Sequence, residues 1–195
     1  MNHPRIFALW TTVTLLTLTT SSASALDGYQ DRRGLFLGVG VGAGLGAAAT
    51  DAQEQNGLDD GRRLGMHVNA LVGGGATERL VLAAQGNMWR RTVSINDFAS
   101  AHTHLSANAV ANYFILDGLF LEAGAGLAYG SFDTFVQGQS SSRYREMGLA
   151  TKAGAGFEFF VNSQTAIGAH FGYTRHFYAR SNFDTLNLNI SARWY

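Results

Sequence analysis

The chain has no cysteine, and its only proline is Pro4, near the start. Without cysteine there is neither a disulfide framework nor a lipid-anchored thiol. Charge is also scarce: 14 Lys+Arg balance 14 Asp+Glu, so there is no basic patch of the kind nucleic acid requires. Beyond the first residues no apolar run approaches the roughly 20 needed for a membrane-spanning helix. Yet 46% of the residues are hydrophobic and 24 are glycine. The question is where so much apolar surface goes.

The first 25 residues read as a secretory leader. Arg5 supplies a basic start, an apolar stretch runs from Ile6 through Trp10 to Leu18, and Ala23-Ser24-Ala25 is a small-residue cleavage pattern. The expected mature chain carries −1, because Arg5 leaves with the leader. Residues 26–34 are then a short periplasmic N-terminal segment, and 35–195 the folded domain.

Beyond the leader the apolar residues alternate. In "GLFLGVGVGAGLGAA", Gly34 to Ala48, glycines occupy Gly38, Gly40, Gly42, Gly44 and Gly46, while Leu37, Val39, Val41, Ala43 and Leu45 fill the positions between. A period of two is a strand. Seven more such segments follow: Met66 to Val72, Leu80 to Met88, Leu105 to Ile115, Leu119 to Tyr129, Glu146 to Phe159, Ile167 to Phe177 and Leu186 to Trp194. Each has one greasy face and one face of Gly, Ala, Ser and Asn. A soluble sandwich would show Lys, Glu and Thr on its wet face, whereas small residues suit the narrow interior of an eight-strand closure. The expected fold is all-β: an eight-stranded antiparallel up-and-down transmembrane β-barrel, greasy side to lipid, glycine rows lining the inside.

The connections agree. Long polar links, Thr50 to Arg63, Arg90 to Ala101, Ser131 to Tyr144 and Tyr178 to Asp184, alternate with short ones, Gly74 to Glu78, Leu116 to Gly118 and Val161 to Gln164. Outer-membrane barrels pair long extracellular loops with short periplasmic turns, both termini periplasmic. Trp89, Tyr129, Tyr173 and Phe177 toward the loops, and Tyr113, Phe159, Trp194 and Tyr195 toward the turns, are expected to form the two interfacial girdles.

Leader, eight alternating segments and the ending "LNLNISARWY" together resemble the small outer-membrane β-barrel proteins of Gram-negative bacteria, the opacity-protein and OmpA/OmpX-like superfamily. The resemblance implies an integral outer-membrane protein surrounded by outer-membrane lipid and lipopolysaccharide. It also implies an aromatic ending read by the barrel-assembly machinery. Trp194 keeps the parity of the preceding hydrophobics and Tyr195 adds one residue, so both are candidates for that signal.

The resemblance carries no catalytic motif, and no catalytic, cofactor-binding or metal residue is expected. Gly44-x-Gly46-x-x-Ala49 formally fits a dinucleotide fingerprint but opens no helix. Asn189-Ile-Ser191 fits a glycosylation acceptor but sits in mid-strand. Four charges fall on inward faces: Glu122, Lys152, Glu158 and Arg193. A hairpin centred in the Ser131 to Tyr144 link brings Glu122 opposite Lys152 within two residues. The turn near Ser163 brings Glu158 beside Gly168, leaving room for Arg193. Such pairs would close the lumen.

The leading functional expectation is a non-enzymatic, monomeric outer-membrane protein serving envelope integrity, or a host or surface ligand through its loops. One alternative is a lipid A-modifying hydrolase built from His102, His104 and His176 with Asp97, Ser100, Ser181 and Asp184 at the extracellular rim, since a base and a nucleophile must come within hydrogen-bond reach. Another is a small-solute pore, which the strand number disfavours.

Overall fold

The computed structural model describes residues 32–49, 62–95, 98–136, 142–179 and 181–195. Residues 1–31, which include the expected leader, and Asp97 lie outside them. Eight strands follow one another in chain order: β1 (Leu35–Ala49), β2 (Arg63–Gly75), β3 (Leu80–Ile95), β4 (Phe98–Phe114), β5 (Leu119–Val136), β6 (Ser142–Phe160), β7 (Thr165–Tyr178) and β8 (Asn182–Trp194). Each pairs antiparallel with the next, and β1 pairs back onto β8, from Leu37 opposite Trp194 to Ala49 opposite Asn182. Closure leaves no sheet edge within the wall, the condition for putting a sheet into hydrocarbon, where an unpaired backbone group has no water to turn to.

Alternation sorts the wall as expected. Leu127, Leu149, Leu188 and Ile190 face outward and are about 60% exposed or more, whereas Gln85, Asn108, Glu122 and Asn189 face inward and are buried. Toward the long-link end the apolar outer belt stops at Met88 on β3, Leu105 on β4, Tyr173 on β7 and Leu186 on β8; the next outward residues are Arg90, Thr103, Arg175 and Asp184. The short turns are locally determined. Thr77 Oγ1 accepts the Leu80 N–H at 3.0 Å, and Asn162 Oδ1 accepts those of Gln164 and Thr165 at 2.9 and 2.7 Å. Gly118 lies at φ 88°, and a side chain there would fall on the Glu158 carbonyl oxygen.

Two expectations need correcting. Arg90 to Ala101, Ser131 to Tyr144 and Tyr178 to Asp184 are not long loops: β3 runs to Ile95, β4 starts at Phe98, β5 runs to Val136, β6 starts at Ser142, β7 runs to Tyr178 and β8 starts at Asn182, so Arg143 lies in a strand opposite Asp133. The strands β3 to β6 have 16, 17, 18 and 19 residues, against the 9–11 or so that cross a bilayer, and they rise beyond the lipid belt. There the outward residues are no longer apolar, so the alternation that announces a strand disappears while the backbone ladder continues. The girdles also lose two members. Trp89 points inward and is buried, and Tyr195 turns into the lumen, while Tyr113, Phe159, Phe177 and Trp194 remain exposed on the outside.

Candidate functional site: a plugged lumen

The inward faces of the described residues are filled with buried side chains, and the glycines explain how so narrow a barrel holds them. A side chain on Gly44 or Gly46 would run into the Trp89 indole, one on Gly156 into the Phe120 ring, one on Gly154 or Gly172 into His170, and one on Gly40 into Asn69. These glycines are thus recesses for large side chains from elsewhere in the wall. Packing at this density makes each recess residue-specific.

At the short-turn end the lumen is closed by charge and rings together. Glu158 Oε1 accepts from Arg32 Nε at 3.0 Å and from the Tyr195 hydroxyl at 2.9 Å, and Glu158 Oε2 accepts from Arg193 Nη1 at 3.0 Å. The guanidinium of Arg32 lies 4.0 Å above the Phe114 ring and that of Arg193 4.6 Å above Phe120, while Phe36 stacks on Tyr195 at 5.3 Å. Glu158 stands opposite Gly168, in the expected register. Cation–π contacts and hydrogen bonds together satisfy two arginines around one carboxylate.

In mid-lumen, Lys152 Nζ lies 2.6 Å from Glu122 Oε1 and donates to Gln85 Oε1. His170 Nε2 approaches the same glutamate oxygen at 3.3 Å. Lys152 is registered on Gly124, and Glu122 on Gly154, two residues from direct opposition and within the expected tolerance. On the facing wall His67 Nδ1 meets Asn189 Oδ1 at 2.8 Å, and Asn189 donates to Asn187 Oδ1 at 2.8 Å.

The long-link end is closed by rings without fixed charge in the layer. The Trp89 indole donates to the Gly44 carbonyl at 2.8 Å and leans on Phe183 at 5.0 Å. His104 stacks on Phe183 at 3.5 Å between ring centroids, and its Nδ1 meets the Tyr178 hydroxyl at 2.9 Å. His176 lies 5.8 Å from His104 and places Nδ1 3.2 Å from the Phe183 carbonyl. Burial first, and then neighbouring positive charge, hold His104 well below the ordinary imidazole pKa; burial also lowers His102 and His176. Burial raises the Tyr178 phenol.

These contacts bear on the hydrolase constellation. His104 faces Tyr178, not a serine; His176 faces a backbone carbonyl; and Ser181 Oγ donates to Glu146 Oε2 at 3.1 Å. Asp184 lies 3.7 Å from Arg175, and Ser100 is buried on β4. Among the described residues no serine hydroxyl is hydrogen-bonded to a histidine, and no cluster of three metal-ligating side chains occurs. Sequence reasoning missed Arg32, which it assigned to a periplasmic tail, and nothing in its neighbourhood announces burial. It also passed over a signal that was present: all five histidines beyond the leader have inward parity.

Comparison with known proteins places this architecture. A family model described as outer membrane protein beta-barrel domain matches residues 13–195. No curated protein sequence matches the chain. The solved structures that resemble it include Ail, the attachment invasion locus protein of Yersinia pestis, at 16% identity and TM-score 0.59, covering 82% of this chain and 98% of that one. Ail in complex with the heparin analogue sucrose octasulfate matches at 14% identity and TM-score 0.63, covering 82% and 99%. Neisserial surface protein A matches at 16% identity and TM-score 0.55, covering 83% and 98%. At these identities the likeness is one of fold.

Proposed function

The chain belongs to the outer membrane protein β-barrel family, and from that premise we propose that it acts without catalysis, as an occluded barrel presenting its long-link end to the exterior. The observation that carries this reading is the double closure of the lumen, by Glu158 with its two arginines at one end and by Trp89, His104 and Phe183 at the other. In this reading Glu122, Lys152, Glu158 and Arg193 are structural lumen charges, and both termini are periplasmic. The barrel is a monomer in outer-membrane lipid and lipopolysaccharide. Trp194, outward and lipid-facing, is the residue offered to the assembly machinery, while Tyr195 is locked inside.

The outward role falls to β3 to β6 where they rise beyond the lipid belt, together with the links they carry. Arg62, Arg90 and Arg145 are exposed on that side, a chemistry suited to anionic surface ligands. One of the Ail structures holds a sulfated sugar, which makes a heparin-type polyanion the first ligand to try. The test has three arms on the purified protein: planar-bilayer conductance, lipid A mass spectrometry on cells with and without the protein, and retention on immobilised heparin. Silent bilayers, unchanged lipid A and salt-sensitive retention support the proposal. Steady single-channel currents would replace it with the pore, and altered lipid A with the hydrolase.

A further inference from the structure

The ring layer at the long-link end gathers two imidazoles, His104 and His176, around one phenylalanine, Phe183. Both are packed among aromatic rings, Tyr178 included. We propose that this layer is an acid-released closure: protonation of His104 and His176 puts two positive charges 5.8 Å apart inside an aromatic stack, separates the rings and exposes Trp89 to solvent.

The geometry carries the argument. His104 lies flat on Phe183, with ring planes 5° apart, and Phe183 in turn supports Trp89. His176 reaches the backbone of that same phenylalanine. Phe183 is therefore the common support of both imidazoles and the indole, and a charge on either imidazole is felt through it. An imidazolium has no lone pair left on Nδ1, so a charged His104 can only donate there and Tyr178 must turn its hydroxyl to accept.

The surrounding charges oppose protonation more than they assist it. On β3, Arg91 sits above the layer and disfavours a charge on His102; on β4, His102 itself couples to His104. β5 contributes Ala128, Gly130 and Phe132, none ionisable, and its Asp133 faces outward. On β6, Glu146 is engaged by Ser181 and by Tyr144. On β7, Tyr178 stays protonated, and Arg175 holds Asp184 of β8, the one carboxylate that favours a charged His176. β1 and β2 supply Gly44, Gly46 and Gly65, with Arg63 beyond and His67 below.

Linkage fixes the direction. Both imidazoles have pKa values below the ordinary 6.5 when packed and regain it when released, so the released form binds more protons. The closed form is at full advantage above about pH 6.5 and loses it progressively as the pH falls. The short-turn closure contains no histidine, so release opens a vestibule and not a through-pore. That the vestibule faces the exterior rests on the orientation proposed above; the release itself does not.

The test uses the full chain refolded in detergent micelles with Trp10→Phe and Trp194→Phe, so that Trp89 is the only indole. Acrylamide, a neutral quencher, reports indole access at any pH. The quenching constant is expected to rise about threefold from pH 7.5 to pH 5, reversibly and more steeply than a single proton allows, because one opening step releases both imidazoles to bind protons. His104→Phe, which keeps the ring on Phe183, combined with His176→Gln should make the response flat. If that pair does not reach the folded gel form, His176→Gln alone should halve the response. An unchanged quenching constant across the range overturns the proposal. So does a full response in the histidine variants, which would move the titration to Glu146 or Asp184. Conductance that remains silent at pH 5 separates vestibule opening from any failure of the occluded-lumen reading.

Discussion

The two ends of the lumen are closed by opposite means. At the short-turn end, Arg32, Arg193 and Tyr195 converge on Glu158, each within 3.0 Å, with phenylalanines stacked against the guanidinium groups. At the long-link end, Trp89, His104, His176, Tyr178 and Phe183 meet ring to ring, with no permanent ion in the layer. Both are tight, but the first depends on matched charge and the second on shape. A closure of the first kind fails when a partner is removed; one of the second kind fails when a ring is displaced or charged.

The largest effect should come from Glu158→Ala. It strands two buried guanidinium groups, and breaking a buried ion pair from one side costs about 3–5 kcal/mol. The urea midpoint of the refolded barrel should fall accordingly, and Arg193→Ala added to it should recover part of the loss. No recovery would mean that charge matching does not organise that end.

Next comes shape at the other end. Gly46→Ala sets a methyl 2.5 Å from Phe183 Cζ and 2.7 Å from Trp89 Cζ2, and overpacking of this kind costs about 1–3 kcal/mol. Gly86→Ala, whose Cβ would meet nothing within 4 Å, is the matched control and should leave the midpoint in place. Equal effects of the two would sink the recessed-glycine account.

A smaller change separates hydrogen bond from stack at the charged end. Tyr195→Phe keeps the ring on Phe36 and deletes the bond to Glu158, a loss of about 1.5 kcal/mol for a bond to a charged group. Smallest of all is Arg145→Ala, exposed on the rising part of β6, which should stay within about 0.5 kcal/mol in the same titration. A loss comparable to that of Glu158→Ala would place structural charge outside the lumen as well.

How much of this was legible beforehand follows from where alternation holds. Inside the lipid belt every residue has one greasy or one small neighbour face, and the eight strands, their parity and the placement of Glu158 beside Gly168 could all be read. Beyond the belt, Arg90 to Ile95 and Ser131 to Val136 resemble loops because the outward positions are no longer apolar. Trp89 was read as an interfacial anchor because aromatic residues near strand ends usually are; its parity, shared with Gln85 and Asn87, pointed inward. Arg32 was not legible at all. Its burial follows from a partner 126 positions away.

That distance has a kinetic meaning. The Glu158 node ties together three stretches of chain: one ahead of β1, one at the end of β6 and one at the end of β8, where Tyr195 also bonds to the turn at Gln164. Neighbouring hairpins form from local contacts, but this node requires the first and last staves of the cask to have met, the contact of longest sequence separation and therefore the slowest to form. A barrel left unsealed, or sealed out of step along the β1–β8 seam, cannot seat all three donors on one carboxylate. Arg193 and Tyr195 reach Glu158 across β7, but Arg32 completes the set only once the two ends of the cylinder have come together.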